Sequence, residues 1–344
     1  MDWEQDENLG AESDFRPLGR PIEPEAEGLR VDDHCSREFK FLSRNQWQNR
    51  IDRGELLVNQ KDVKASYRLR LGDQLQYYFP LEAEPEVSTD IRMIWRQGGV
   101  MAVFKPGNLP MHENGRHRTR TFARLVADTF GPEWSAVHRL DKETSGVVIC
   151  AATHDLRSKL SALLRGRDVF KRYLAIVMGH PSDFDWVENG PIGDLQESAI
   201  RIKKWVVPDG LPALTRFRWL EQGRGYSLVE AFPKTGRTNQ IRIHLAHGGL
   251  PIVGDKMYHP DENVFLTYWR EGNTPDVHRL AGFHRHCLHA AEIAFVHPEL
   301  GAKVWVECPM APDMVDLWKG RHPYPVGSGA LGIAANPPIV QVRG

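Results

Sequence analysis

The hydrophobic rhythm of the chain changes near residue 90. Before it, apolar positions are sparse and the elements short. SRNQWQNRIDRG (43–54) sets Trp47 and Ile51 on one helical face, after Ser43, a capping side chain, and before Gly54, a helix terminator. LLVNQKDVKASYRLRLGDQLQYYF (56–79) continues in short β-like runs, with turn chemistry at Asn59 and Gly72-Asp73. Beyond residue 90, IRMIW (91–95) and VMAVFK (100–105) flank Gly98-Gly99 and predict a hairpin. TFARLVADTF (121–130) lines Phe122, Leu125 and Val126 along a helix, and VVICAA (147–152) reads as a buried strand. Thr153 caps a helix carrying Leu156, Leu160, Leu163 and Leu164, and KRYLAIVMG (171–179) alternates like a strand. FRWLEQ (217–222) and YSLVEAF (226–232) form a second hairpin. Thr238 opens a short helix through Ile241 and Leu245, ending near Gly248-Gly249, and LHAAEIAFVHP (288–298) is strand-like. Antiparallel hairpins with interspersed helices predict an α+β fold, not a doubly wound parallel sheet.

Composition divides the chain further. Residues 1–30 are acidic and proline-bearing with little periodicity, which predicts a flexible tail. Residues 31–84 form a small basic α+β domain, 85–90 lie in an acidic linker, 91–320 form the main domain, and the Gly/Pro/Ala-rich 321–344 predict a flexible C-terminal tail. With 344 residues, 41% of them hydrophobic, the chain can bury a sizeable core. No apolar run reaches the length of a membrane span, and MDWEQDENLGAESDF lacks the apolar core of a secretory signal, so no membrane partner is expected. Cys35, Cys150, Cys287 and Cys308 form no CxxC pair, which points to a reducing, cytoplasmic setting.

The net charge of −1 conceals a split. Residues 1–28 carry nine acidic side chains against Arg16 and Arg20, leaving the remainder at about +6. Basic clusters lie at Arg37, Lys40, Arg44, Arg50 and Arg53, at Arg116, Arg118, Arg120 and Arg124, and at Arg165, Arg167, Lys171 and Arg172. Each alone reads as a solvated face; together they fit a polyanionic partner.

Two stretches carry candidate chemistry. HRLDKETSGVVIC (138–150) runs from the charged residues His138, Arg139, Asp141, Lys142 and Glu143 into a buried strand, placing a carboxylate on a tight loop at the core's edge. A structural Asp–Arg pair is the plainer account of that loop. KTGRTNQIRIHLAHGGLPIVGD (234–255) holds Arg237 and Arg242, five apart and therefore on different faces if both are helical. One can meet a carboxylate while the other meets the chain or a phosphate. Helix capping plus surface charge is the alternative. HRHCLH (284–289) looks like a metal cluster, but its crowded spacing and the lack of a second Cys/His group favour a structural role, and no metal is expected.

In these stretches the chain resembles the RluA-type pseudouridine synthases, which modify uridines in ribosomal and transfer RNA. HRLDKETSG (138–146), FKRYLAIVMG (170–179) and PKTGRTNQIRIHLAHGGLPIVGDKMY (233–258) carry the resemblance, with KPGNLPMH (105–112) and CLHAAEIAFVHP (287–298) flanking them, over about residues 90–318. Residues 33–84 resemble the S-four-like RNA-binding domain, with Gln60 where that domain usually has glycine. The resemblance implies a mixed, largely antiparallel sheet with flanking helices, and a reaction in which a uridine is detached from its ribose, rotated and rejoined through carbon-5. No atoms or electrons are exchanged, so no cofactor is implied. Asp141 would be the essential carboxylate, acting on the sugar, the base or a proton. Tyr173 would stack on the base, Arg242 would pair with Asp141, and Arg139 would hold the strand from which the base is flipped. Arg44, Arg50, Arg53 and Arg237 are expected to contact a structured ribosomal or transfer RNA, bound by a monomer. Asn239 stands where the family usually has histidine. Asparagine carries no titratable proton, so it has no acid–base role. A glycosidase would need a second carboxylate, for which Glu143 is the candidate. A pure RNA-binding protein would have no need of Asp141, Tyr173 and Arg242 together.

Overall fold

The computed structural model describes residues 15–39, 42–78, 84–114, 117–166, 169–198, 200, 202–321 and 340–343. The chain divides into two compact units, 1–84 and 85–344.

The first unit holds β1 (Phe15–Pro17), α1 (Val31–Glu38), α2 (Arg44–Asp52), β2 (Leu56–Val58), β3 (Lys61–Asp62) and β4 (Leu75–Tyr78), its sheet ordered β1-β4-β2-β3. Ser43 and Gln46 exchange hydrogen bonds in a capping box at the start of α2, burying Trp47 and Ile51 on one face, and Gly54 follows with φ +71°. Asp32, fully buried, ties α1 to α2 through bonds from Arg30 (3.0 Å), Arg44 (3.2 Å) and Gln48 (2.6 Å). Burial alone would raise its pKa, but those donors hold the carboxyl well below its usual range. The expected tail at 1–30 needs correction. β1 adds an edge strand to β4, and Leu18, Ile22 and Ala26 are buried in this unit's core. A stretch judged by its charges conceals three apolar anchors. Residues 1–14 lie outside the described part.

The second unit begins with a hairpin of β5 (Arg92–Gln97) and β6 (Val100–Lys105), turned by Gly98 and Gly99, both at positive φ. There follow α3 (Phe122–Phe130), β7 (Ser135–Ala136), β8 (Ser145–Ala151), α4 (His154–Arg165), β9 (Phe170–Met178), β10 (Asp185–Glu188), β11 (Ile192–Asp194) and β12 (Lys204–Val206). Then come β13 (Thr215–Gln222), β14 (Tyr226–Pro233), α5 (Gln240–His247), α6 (Asn263–Glu271), α7 (Pro275–Ala281), β15 (Leu288–Val296), β16 (Lys303–Glu307), α8 (Pro312–Trp318) and β17 (Val340–Arg343). The main sheet runs β10-β13-β14-β9-β15-β8-β6-β5, with β16 and β17 branching from β15, so the fold is α+β with a mixed, largely antiparallel sheet. The C-terminal expectation is corrected too: β17 pairs with β16, while 322–339 and 344 lie outside the described residues.

Two cores cover the sheet's halves. One gathers β6, β8, α3 and α4; the other gathers β9, β14, α5 and α8. β15 contributes to both, and Tyr173 packs against both. At this seam β15 runs parallel to β8, the one parallel pairing among the described residues. Parallel strands start at the same end, so the loop before β8, which holds Asp141, emerges beside the loop before β15. Register then aligns Tyr173 with Ala290, and Ala290 with Gly146. Gly146 is required there: its φ is +123°, and a Cβ would lie 2.3 Å from the Ala290 carbonyl oxygen.

Candidate active site

The loop 138–144 is held by side chains packed beneath and beside it. His138 Nε2 accepts the Ile149 N–H at 3.0 Å, and Lys105 Nζ donates to the carbonyls of Pro106 and Lys142 at 2.9 and 3.0 Å. Thr144 bonds His286 Nε2 at 2.7 Å, and Ser145 bonds His289 Nδ1 at 2.9 Å. The other His289 nitrogen donates to the Cys308 carbonyl at 3.1 Å; burial lowers the ring's pKa to about 4, and in the neutral ring Nδ1 is left to accept from Ser145. Glu143 accepts from Lys256 Nζ and from His286 N, each at 2.8 Å, while Arg285, clasped by Asp313, donates to the Glu143 carbonyl at 2.9 Å. Glu143 is thus built into the scaffold, and the HRHCLH histidines have protein partners that account for them.

Asp141 is left facing a cleft of about 670 Å³, whose lining includes Arg139, Tyr173, Lys234, Arg237, Asn239 and Arg242. Arg242 Nη1 donates to Asp141 Oδ2 at 3.1 Å and to Asn239 Oδ1 at 3.0 Å. Its Nε and Nη2 form a fork to Asp255 at 2.6 and 2.9 Å, and the Tyr258 ring lies 5.0 Å from its Cζ. Burial opposes the Arg242 charge, but Asp255 and then Asp141 outweigh it and push its pKa well above the ordinary value. Tyr173 is half-buried; burial, then the Asp141 charge, raises its phenol to about 12, so it stays protonated.

The structure therefore brings Asp141, Tyr173 and Arg242 into one cleft, with Arg139 and Arg237 exposed on its lining. Arg237 is not on a helix with Arg242. α5 starts at Gln240 rather than Thr238, because Gln240 Oε1 accepts from Arg237 N (3.0 Å) and Thr235 Oγ1 (2.7 Å), fixing the preceding turn. Arg44, Arg50 and Arg53 belong to the first unit. There Arg44 meets Asp32, Arg50 lies 2.5 Å from Glu55, and Arg53 lies 4.0 Å from the same carboxylate. Sequence reasoning missed Asp255, Tyr258, Lys105, Arg285 and Asp313. Asp255 had one signal: a lone acid ending the apolar run GLPIVGD, as a buried arginine requires.

Residues 99–247 match the family model described as RNA pseudouridylate synthase. Human RNA pseudouridylate synthase domain containing 1 superposes with a TM-score of 0.54 at 22% identity, covering 72% of this chain and 93% of that one. The fold is accordingly that of a pseudouridine synthase. An uncharacterised RNA pseudouridine synthase of Bacillus subtilis is 31% identical, covering 85% of this chain and 94% of the relative. Ribosomal large subunit pseudouridine synthase D of Xanthomonas campestris is also 31% identical, over 85% of this chain and 88% of its own length. The chain belongs to the RluA family of RNA pseudouridine synthases and is an isomerase. Among the described residues no helix is long and apolar enough to cross a membrane.

The loop's neutral histidines make its stability pH-dependent. Burial lowers the pKa of both His138 and His289 to about 4. The unfolded chain binds protons from about pH 6.5 downward, whereas the folded protein refuses them until about 4. The stability contributed above pH 6.5 is therefore lost as pH falls towards 4. Denaturant midpoints measured between about pH 7 and 5, above most carboxylate titration, should fall steadily, and His289→Gln should flatten the slope. A pH-independent midpoint would contradict this account.

Proposed function

We propose that this enzyme isomerises specific uridines of structured RNA, ribosomal or transfer, after flipping the target base into the cleft, with Asp141 as the essential carboxylate. The observation that carries this reading is the 3.1 Å bond from Arg242 to Asp141, made by a cation whose other side is fixed on Asp255. A carboxylate brought beside a base loses solvent, and an adjacent guanidinium compensates its charge. Tyr173 offers the base a ring face, an interaction worth ~1–3 kcal/mol. Arg139 is exposed on the cleft lining, where it can fill the gap left by the flipped base or hold its strand. The ribosomal reading draws support from the relatives named for the ribosomal large subunit.

The first unit acts as an S-four-like RNA-binding module. Arg44, Arg50 and Arg53 have acidic partners, but their own side chains remain partly exposed, so a phosphate can add to those contacts. Arg237 supplies a phosphate contact beside the cleft. Four buried free thiols suit the cytoplasm, and a monomer carries every residue the reading uses.

Asp141→Asn preserves shape and removes the anion. It should still bind RNA while pseudouridine formation falls on the order of 10³-fold or more. Near-normal turnover would refute the assignment. Arg242→Met leaves Asp141 and Asp255 without their shared cation, a loss of ~3–5 kcal/mol for a buried pair. Turnover should fall at low and high salt alike, together with Tm. Activity recovered at low salt would instead mark Arg242 as a phosphate ligand. Deleting residues 1–84 should weaken RNA affinity and flatten its salt dependence, by roughly one unit of slope for each phosphate that the unit neutralises. Equal affinity and slope in the truncated enzyme would assign the unit another purpose.

A further inference from the structure

Asn239 immediately precedes α5, where an asparagine ordinarily accepts a bond from a first-turn N–H. Its side chain makes no such bond. Its backbone is left-handed, at φ 58° and ψ 16°, a conformation asparagine tolerates better than most side-chain-bearing residues. From that position its oxygen accepts from Arg242 Nη1 at 3.0 Å and its nitrogen donates to the Tyr258 hydroxyl at 3.1 Å. Tyr258 is almost fully buried, its ring lies against the guanidinium, and its backbone N–H donates to Asp255 at 3.0 Å. One bracket thus links the residue before α5, the guanidinium and the segment carrying Asp255.

Nη1 has two hydrogens lying in the guanidinium plane and pointing apart. Asp255 takes Nε–H and one Nη2 hydrogen, and the bond to Asp141 comes from Nη1. Without a partner for its second hydrogen, the buried group would gain by tilting towards water and would draw its bond to Asp141 out of line.

Resting on the assignment of Asp141 as the essential carboxylate, we propose that Asn239, braced by Tyr258, is a positioning residue that holds one Nη1 hydrogen so that the other is aimed at Asp141. Asn239 touches no reacting atom and transfers no proton; it acts through Arg242.

The test uses the full-length chain and a transcript containing the target uridine, identified beforehand by pseudouridine mapping. Asn239→Gly suits the left-handed backbone and removes only the side chain. It should lower kcat by about tenfold or more, the worth of a hydrogen bond to a charged group, with KM changed less than about threefold. Its Tm should stay close to that of the parent. Tyr258→Phe keeps the ring and should lower kcat by a few-fold, roughly what a neutral hydrogen bond contributes. The double variant should be no slower than Asn239→Gly, because both changes break one bracket. Unchanged kcat in Asn239→Gly, additive losses in the double variant, or a rate loss accompanied by a comparable fall in Tm would each overturn the proposal. Asp141→Asn separates the two levels. If it stays active, the underlying assignment fails; if it is inactive while Asn239→Gly is unaffected, only the bracket fails.

Discussion

The catalytic unit is organised around a single buried cation. The Arg242 guanidinium has been taken out of water, a state costing several kcal/mol unless its donors are met. Asp255 meets two of them as a fork and is itself fully buried. Its Oδ1 also accepts the backbone N–H groups of Met257 and Tyr258 at 3.1 and 3.0 Å. This arrangement depends on Gly254. With φ +80° and the Arg285 carbonyl 2.0 Å from where a Cβ would sit, only glycine lets the chain turn Asp255 towards the guanidinium. The ion pair is consequently fixed by backbone geometry on one side and left open on the other, towards Asp141.

Topology delivers Asp141 to that open side. β8 and β15 both begin at the seam between the cores, and their parallel pairing brings their leading loops together. The second loop then acts as scaffold for the first: Arg285 and His286 bond Glu143, Thr144 and Ser145. His138 and the Lys142 carbonyl are held as well, by the Ile149 N–H and Lys105. Protein groups therefore tie down the loop on both sides of Asp141 and leave its carboxylate facing the cleft. Tyr173 sits in register with the same level of the sheet because β9 pairs with β15 on the other side.

Local chemistry made much of this legible. The Gly98-Gly99 hairpin, the Ser43–Gln46 cap of α2 and the helices after Thr121 and Thr153 each have neighbouring residues that determine them. The pairing of Arg242 with Asp141 came from resemblance, since 101 residues separate them and periodicity reports nothing at that range. What escaped notice shares one property: its role depends on partners distant in sequence. Lys105 and Arg285 look like surface charges until carbonyls and carboxylates across the fold enclose them. Leu18 and Ile22 were hidden by the acids around them, and Thr238 looked like a cap because Gln240's bonds to the preceding turn cannot be inferred from spacing.

An enzyme that places a carboxylate against a polyanion faces a conflict of charge, and the cleft resolves it by separating positions. There Asp141 and Asp255 share Arg242, so the Asp141 carboxylate carries a compensated charge. Around them the lining supplies Arg139, Arg165, Lys171, Lys234 and Arg237. Phosphates gain by remaining with these cations, whose attraction falls off within a Debye length of ~8 Å at physiological salt. A neutral uracil loses no such attraction on moving inward. Under the proposed reading, the same electrostatics that would repel a phosphate from Asp141 would favour entry of the base alone, and a chain of net charge −1 would meet RNA through the cations gathered around the cleft.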